Sequence, residues 1–352
     1  NAPYRFAFLG DLHFDRPEHH DMDWVQKEHP GDIRQIENYC RVTSENSGAL
    51  LSAVSETLRE RPVPFAVIQA GDFVEGLCGS YELQVNQFKD AITFVESTAG
   101  GIPFLVTKGN HDITGPGAKD AYSDVMLPWF EKQLGKNISS TSYTVRRGGD
   151  LFVFFDGYKP DLDWFENVLK EEPFRHLFFI VHEPVVPYNA RSQWHLFSRD
   201  KSPDRRDRLL SLLGKHQAIV LCGHLHHYSV VRRQTENGAF IQLAMNSVVY
   251  QERGVIKLLC GKERYGPDLT ELEPRFSSEN RMSRRDILQK EKPFIDYFEV
   301  ARMSGWQLLS VSADTIRIEI RLRNNRKVWR VLNVTASTME IAIEEVEAGI
   351  RE

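Results

Sequence analysis

The sequence predicts an α/β protein, a four-layer αββα sandwich of two mixed β-sheets with helices on the outside. Three observations carry this expectation. Short apolar runs alternate with segments of helical periodicity through the first two thirds of the chain. After residue 226 the pattern changes to alternating, hairpin-like runs. Finally, five polar motifs rich in metal-ligand residues each follow directly on an apolar run, which puts them at the carboxyl ends of buried strands.

The elements follow in order. Residues 4–10 form a first strand, and a polar stretch from Phe14 to about Ser44 reads as an unusually long connection of the kind that often carries function. Leu50, Leu51, Val54 and Leu58 recur at helical spacing until Arg61-Pro62, where proline ends the helix. A strand ends at Ala70. A helix over 81–96 carries Leu83, Phe88, Ile92 and Val95 on one face and stops at Gly100-Gly101. Residues 102–106 form the next strand, and 122–134 a helix despite Pro128. Residues 143–146 and 151–155 flank Arg147-Gly148-Gly149-Asp150 as a hairpin.

A helix over 162–169, a strand over 177–181, a helix over 205–213 and a strand over 218–222 continue the alternation. Beyond them, 228–232 and 239–243 pair around Glu236-Asn237-Gly238. Residues 305–309, 315–323 and 327–334 supply the last strands. One domain is expected over 1–334, with a polar insertion at about 261–298 running over the surface and an acidic tail from 335 to 352.

Composition sets limits on partners. The 352 residues are 41% hydrophobic and 26% charged, ordinary for a globular protein. A net charge of -5 gives no general pull toward nucleic acid or anionic membrane. No uninterrupted apolar segment reaches the roughly 20 residues that span a bilayer. Cys40, Cys78, Cys222 and Cys260 form no CxxC pair, a sparse pattern that suits a reducing compartment such as the cytoplasm. The chain begins at Asn1 rather than Met, which reads as a trimmed start.

The five motifs carry the chemistry. They are Asp11-Leu12-His13, Gly71-Asp72, Gly109-Asn110-His111-Asp112, His182-Glu183-Pro184 and Gly223-His224-Leu225-His226. On extended backbone, Asp11 and His13 point to the same side and can share a cation. Asp72 follows a glycine that permits a tight turn, and its carboxylate can bridge two cations. Asn110 offers an amide oxygen, while His182, His224 and His226 offer imidazoles. Mixed oxygen and nitrogen donors without thiolate suit Mn, Fe or Zn better than Ca.

In order and type, these blocks resemble the calcineurin-like metallophosphoesterase superfamily, whose signature is DxH, GDxx, GNH(D/E), a lone His and GHxH. The resemblance covers Asp11 to His226. It implies two divalent metal ions, one held by Asp11, His13, Asp72 and His226, the other by Asp72, Asn110, His182 and His224. It also implies that His111 faces the substrate as a general acid, with Asp112 orienting its ring. Hydrolysis is then expected by in-line attack of a hydroxide bridging the cations on a small phosphoester. Purple acid phosphatases in this superfamily carry tyrosine three residues after the bridging aspartate. Glu75 stands there in this chain, so their iron–tyrosinate centre is not expected.

Outside the motifs, Tyr188, Arg191, Trp194 and His195 form an aromatic and basic mixture that can bind a base, sugar or second phosphate. His19, His20 and His29 read as part of a solvated loop, and His227 as a residue pointing away from His226. Arg317, Arg321, Arg323, Arg326, Lys327 and Arg330 make the last hairpin basic but read as an exposed face. A nuclease of the same superfamily is the alternative activity, and it calls for an extended basic groove. A metal-free scaffold is the alternative outside enzymes, and the full ligand set argues against it.

Overall fold

The computed structural model describes residues 2–60, 63–250, 256–273 and 281–346. Among these, one sheet has seven strands and the other eight. In the first sheet, β1 (Tyr4–Leu9), β2 (Pro64–Gln69) and β3 (Phe104–Val106) run parallel. The far side of β1 pairs antiparallel with β12 (Gly305–Val311), followed by β13 (Thr315–Leu322), β14 (Val328–Thr335) and β15 (Glu340–Glu344). The late chain therefore returns to complete the sheet that the early chain began.

The second sheet starts with the hairpin β4 (Tyr143–Arg147) and β5 (Asp150–Phe154) and continues in parallel through β6 (Leu177–Ile180), β7 (Ile219–Cys222) and β9 (Gly238–Ala244). It closes antiparallel through β8 (Tyr228–Thr235), β11 (Ile295–Ala301) and β10 (Leu258–Cys260). Both sheets are mixed, as expected.

Strand alternation explains why two cores form. Phe152, Phe154, Phe178, Ile180, Ile219 and Leu221 face the first sheet, while Leu151, Val153, Leu177, Phe179, Val220 and Cys222 face the outer helices. Between the sheets, Phe152 stacks on Phe178 at 4.5 Å, and Phe6 meets Phe178 edge-on at 5.3 Å. Burying such rings supplies much of the force that joins the layers. Helices α3 (Gly48–Arg59), α4 (Tyr81–Ala99) and α5 (Ala118–Leu134) pack on the first sheet, and Pro128 lies within α5 as expected. Helices α6 (Leu162–Glu171) and α7 (Asp204–Lys215) cover the second. Helix α3 ends at Arg59, and the expected stop at Arg61-Pro62 lies outside the described residues.

Three segments differ from expectation. The stretch 14–44 is not an open loop but folds into α1 (Met22–Glu28) and α2 (Ile33–Val42). Asp21 caps α1 by accepting from the Trp24 amide, and α2 turns Ile36, Tyr39 and Val42 inward. The insertion is not merely a surface excursion. It buries Tyr265, Leu269 and Leu288, and its helix α8 (Arg281–Glu291) locks against the loop after β6. There the Tyr265 hydroxyl donates to Pro187 O at 2.7 Å, and Arg284 donates to Ala190 O at 3.0 Å. The acidic tail begins later than 335, because 340–344 supplies edge strand β15; residues 347–352 lie outside the described residues.

Candidate metal centre

The carboxyl ends of β1, β2, β3, β6 and β7 meet along one edge, where crevices in open α/β sheets bind ligands. The five motifs leave those ends, and sharp turns bring their side chains together. His13, Asp72, His224 and His226 all have positive φ, at 46°, 51°, 70° and 53°. Left-handed backbone at four non-glycine residues is strain of the kind that collects at functional sites. It also corrects one expectation, because Asp11 and His13 converge through a turn after β1 rather than along extended backbone.

Glycine lets these turns pack closely. A Cβ on Gly109 would lie 2.1 Å from the Asp72 amide nitrogen, and one on Gly71 would lie 2.8 Å from His182 Nδ1.

Two groups of the expected ligands result, Asp11 with His13 and His226, and Asp72 with His182 and His224, and a third candidate group joins His13 and Asp72 to His111. His13 Nε2 faces His226 Nε2 at 3.1 Å, and His182 Nε2 faces His224 Nδ1 at 3.1 Å. Outer partners fix which ring nitrogens point inward. His13 Nδ1 donates to Glu75 at 2.7 Å, and His182 Nδ1 donates to Ala70 O at 2.8 Å. With Nδ1 engaged outward, the Nε2 atoms of His13 and His182 are the ones turned toward the centre, the arrangement of metal-bound histidines. Each facing pair can share one proton or ligate one cation.

Asp72 joins the two groups. Its Oδ2 lies 3.1 Å from His182 Nε2 and 3.6 Å from His13 Nε2, while Oδ1 accepts from the His111 amide at 2.8 Å. One oxygen therefore faces the centre and the other is held by backbone. Asn110 Oδ1 sits 3.1 Å from His182 Nε2. The Asp11 carboxylate accepts from the His224 amide at 3.0 Å, tying β1 to the last motif.

Charge within the centre is strongly redistributed. Burial opposes ionisation of Asp72, but His182 and His111 outweigh it and hold the carboxyl well below its usual range. Burial, then the His182 charge, presses His224 down to about 3, and burial with His13 presses His226 well down. Both rings are neutral and available as donors. Burial lifts the Asp11 carboxyl despite the opposing pull of His182. A buried donor set of carboxylates, imidazoles and one amide oxygen fits two divalent cations.

His111 lies against the ligands, its ring centroid 4.7 Å from that of His13. Its Nδ1 donates to Glu75 O at 2.8 Å and lies 3.3 Å from the Glu75 carboxylate. Burial works against its charge, yet Glu75 and Asp72 prevail and push it up to about 9. Asp112 does not orient this ring, contrary to expectation. Its carboxylate accepts from the amides of Gly109 at 2.8 Å and Val74 at 3.1 Å, which pins two motif loops together. Glu75 does the orienting.

Sequence reasoning missed the residues that support the ligands. Glu75, fully buried, also accepts from Gln35 Nε2 at 2.8 Å. Tyr39 stacks on His13 with ring centroids 4.1 Å apart and planes 9° from parallel. Tyr158 donates to Asn110 Oδ1 at 3.4 Å. A lone Gln or Tyr far from the motifs has no spacing that marks it. For Glu75 the only signal was that it stands where another branch has tyrosine.

The loop after β6 divides. Trp194 is exposed, 5.8 Å from His224, with the Arg191 guanidinium over its ring at 5.6 Å and paired to Glu273 at 3.1 Å. Tyr188 and His195 turn inward and correct the expectation that they meet substrate. Tyr188 is fully buried in the outer core, and His195 donates to Ser192 O at 2.7 Å while burial and Arg206 press its ring down to about 4. His227 faces Glu273, away from His226, as expected.

The chain matches the model of the calcineurin-like phosphoesterase family over residues 4–228, and it belongs to that family. Members depend on a dinuclear metal centre. No curated protein matches it in sequence. Solved structures of the same fold include purple acid phosphatase PPD1 from seeds of yellow lupin, Lupinus luteus, at 11% identity and TM-score 0.55, covering 95% of this chain and 54% of that one. PhoD matches at 12% identity and TM-score 0.59, covering 99% and 74%. GAP50, the anchor in the inner membrane complex of Plasmodium, matches at 12% identity and TM-score 0.50, covering 99% and 91%. At such identities the likeness is one of fold, and the chain spans about half the length of the lupin phosphatase.

Proposed function

We propose that the protein is a metal-dependent phosphoric ester hydrolase acting on a small phosphomonoester or phosphodiester. The observation that carries this reading is the pair of histidine contacts at 3.1 Å on either side of Asp72 Oδ2. Asp11, His13, Asp72 and His226 would hold one ion, and Asp72, Asn110, His182 and His224 the other. Mn, Fe and Zn suit these donors. When bound, two such ions would neutralise phosphoryl charge and supply a nucleophilic water at neutral pH.

The chain's own residues do the rest. Glu75 fixes the tautomer of His13 and anchors Nδ1 of His111, which leaves His111 Nε2 to face the phosphoester. From there His111 delivers a proton to the leaving oxygen. Trp194 offers a ring for stacking against the organic part of the substrate, and Arg191 holds that ring from behind. The buried ligand set favours an enzyme over a scaffold.

The nuclease reading draws less support, because four basic residues of the last hairpin face carboxylates. Arg317 and Arg321 pair with Glu319, Arg330 with Glu299 and Arg326 with Glu60. Among the described residues no helix is long and apolar enough to cross a membrane.

The test is hydrolysis of p-nitrophenyl phosphate, bis-p-nitrophenyl phosphate and cyclic nucleotides after loading with Mn, Zn or Fe. Turnover of at least one ester that is lost on chelation supports the proposal, and an inert protein under every metal contradicts it.

A further inference from the structure

A second set of convergent donors lies outside the dinuclear centre. We propose that Asp15, His19, His20 and Cys40 form a separate structural metal site of the zinc type, which staples residues 14–47 over the dinuclear centre. The donors come from three places: the chain just after the first motif, the turn Pro17–His19 with the residue that follows it, and helix α2. Ligand atoms of Asp15, His20 and Cys40 all lie within 4.8 Å of one another. His20 Nε2 is 2.8 and 2.9 Å from the two Asp15 oxygens, and Cys40 Sγ is 3.5 Å from Oδ2. His19 Nδ1 is 3.7 Å from Asp15 Oδ1.

The outer shell is what distinguishes this cluster from an ordinary polar network. His20 Nδ1 donates to Leu77 O at 3.1 Å, and His19 Nε2 donates to Asp90 at 2.9 Å. Both rings thus use their outward nitrogen as the donor and turn the inward one toward the same carboxylate. Histidine ligands of metals are held in this way. Gln87 Nε2 steadies Asp15 from the far side at 2.8 Å. His19 Nδ1 is buried and has no hydrogen-bond partner, although the side chain is only 2% exposed. In a simple imidazolium–carboxylate pair between His20 and Asp15, the Cys40 thiol donates to Asp15 but His19 Nδ1 is left without a hydrogen bond. A divalent cation would draw on the three clustered donors and on His19 Nδ1 beside them.

Two further points fit. One thiolate, two imidazoles and one carboxylate make a closed four-donor set suited to zinc. Against ligation, burial and the Asp15 charge push the Cys40 thiol up, so a bound cation must displace its proton to solvent. The segment also has little apolar packing to hold it. Its satellite clusters are Val25 with Ile36 and Leu77, and Tyr39 with Val42 and Val248. Yet it carries Gln35 to Glu75 and Tyr39 to His13, so its placement matters to the centre.

Cobalt substitution tests the site, because the dinuclear donor set contains no thiolate. Full-length protein is stripped with chelator and loaded with Co(II). The near-ultraviolet absorption of thiolate-to-cobalt charge transfer is expected in the parent protein and in Cys78→Ala, and is expected to vanish in Cys40→Ala. In parallel, zinc is counted in an Asp72→Ala, His182→Ala background, where one tightly held equivalent is expected, and again after adding His20→Ala, where none is. Circular dichroism shows whether each variant is folded. No charge-transfer band, a band that survives Cys40→Ala, or no zinc in the first background overturns the proposal and leaves Asp15 and His20 as an ion pair only.

Discussion

His111 is tied to the centre twice, by its amide on Asp72 and its ring on Glu75, and it is not itself among the proposed metal ligands. Removing its ring should therefore separate chemistry from metal loading. His111→Ala is predicted to keep its metal content while kcat falls about 10²–10⁴-fold for esters with poor leaving groups. Full turnover of alkyl esters by His111→Ala would show that the leaving oxygen needs no proton from it. Glu75 acts at one remove. Glu75→Gln removes the charge that orients His13, and metal affinity is predicted to drop about 10–100-fold, read by titration of stripped protein. At this scale the sequence made the candidate ligands legible, because type and order are enough to name them. It could not show that Asp112 serves backbone amides and Glu75 serves the ring, since those bonds depend on how separate loops meet.

The elements do their positioning at strand ends, where parallel β1, β2, β3, β6 and β7 deliver the motifs. Helical and strand periodicity made these elements legible, but it failed over 14–44. Pro30-Gly31 and a polar composition conceal α2 there, whose inward face is only Ile36, Tyr39 and Val42. The insertion was misread for a related reason, since its anchors are polar. Glu291, at the end of α8, pairs with Arg206 of α7 and Arg233 of β8. Burial opposes its ionisation, but the two arginines hold the carboxyl below the usual 4.5. A depressed carboxyl contributes stability above its unfolded value and loses it as pH falls through the folded one. Glu291→Gln is thus predicted to cost about 3 kcal/mol near pH 7, with the gap to the parent closing below about pH 4.5. Urea denaturation at pH 7 and pH 4 checks this, and a gap independent of pH would contradict it. Phe152→Ala, which hollows the contact between the sheets, is predicted to cost about 3–5 kcal/mol at any pH in the same assay.

At the scale of the whole molecule, two sheets from distant stretches of chain close on one core, and the proposed centre spans both. Asp11 and Asp72 come from the first sheet, His182, His224 and His226 from the second. The layered architecture was legible because alternation of strands and helices ends in hairpins. The return of the last strands to β1 was readable only in outline, because antiparallel partners leave no record of register in sequence. The substrate was not legible, and the loop that carries Trp194 is positioned by the insertion rather than by the motifs. Since both sheets contribute donors, hydrolysis should require both ions at once. The most direct test is a titration of chelator-stripped protein with Mn(II), following turnover of bis-p-nitrophenyl phosphate. Activity that is absent without metal, rises to a plateau at two equivalents per chain and fails to appear in Asp72→Ala is the predicted result. Activity that survives stripping, or that is unchanged in Asp72→Ala, would contradict a dinuclear centre bridged by Asp72.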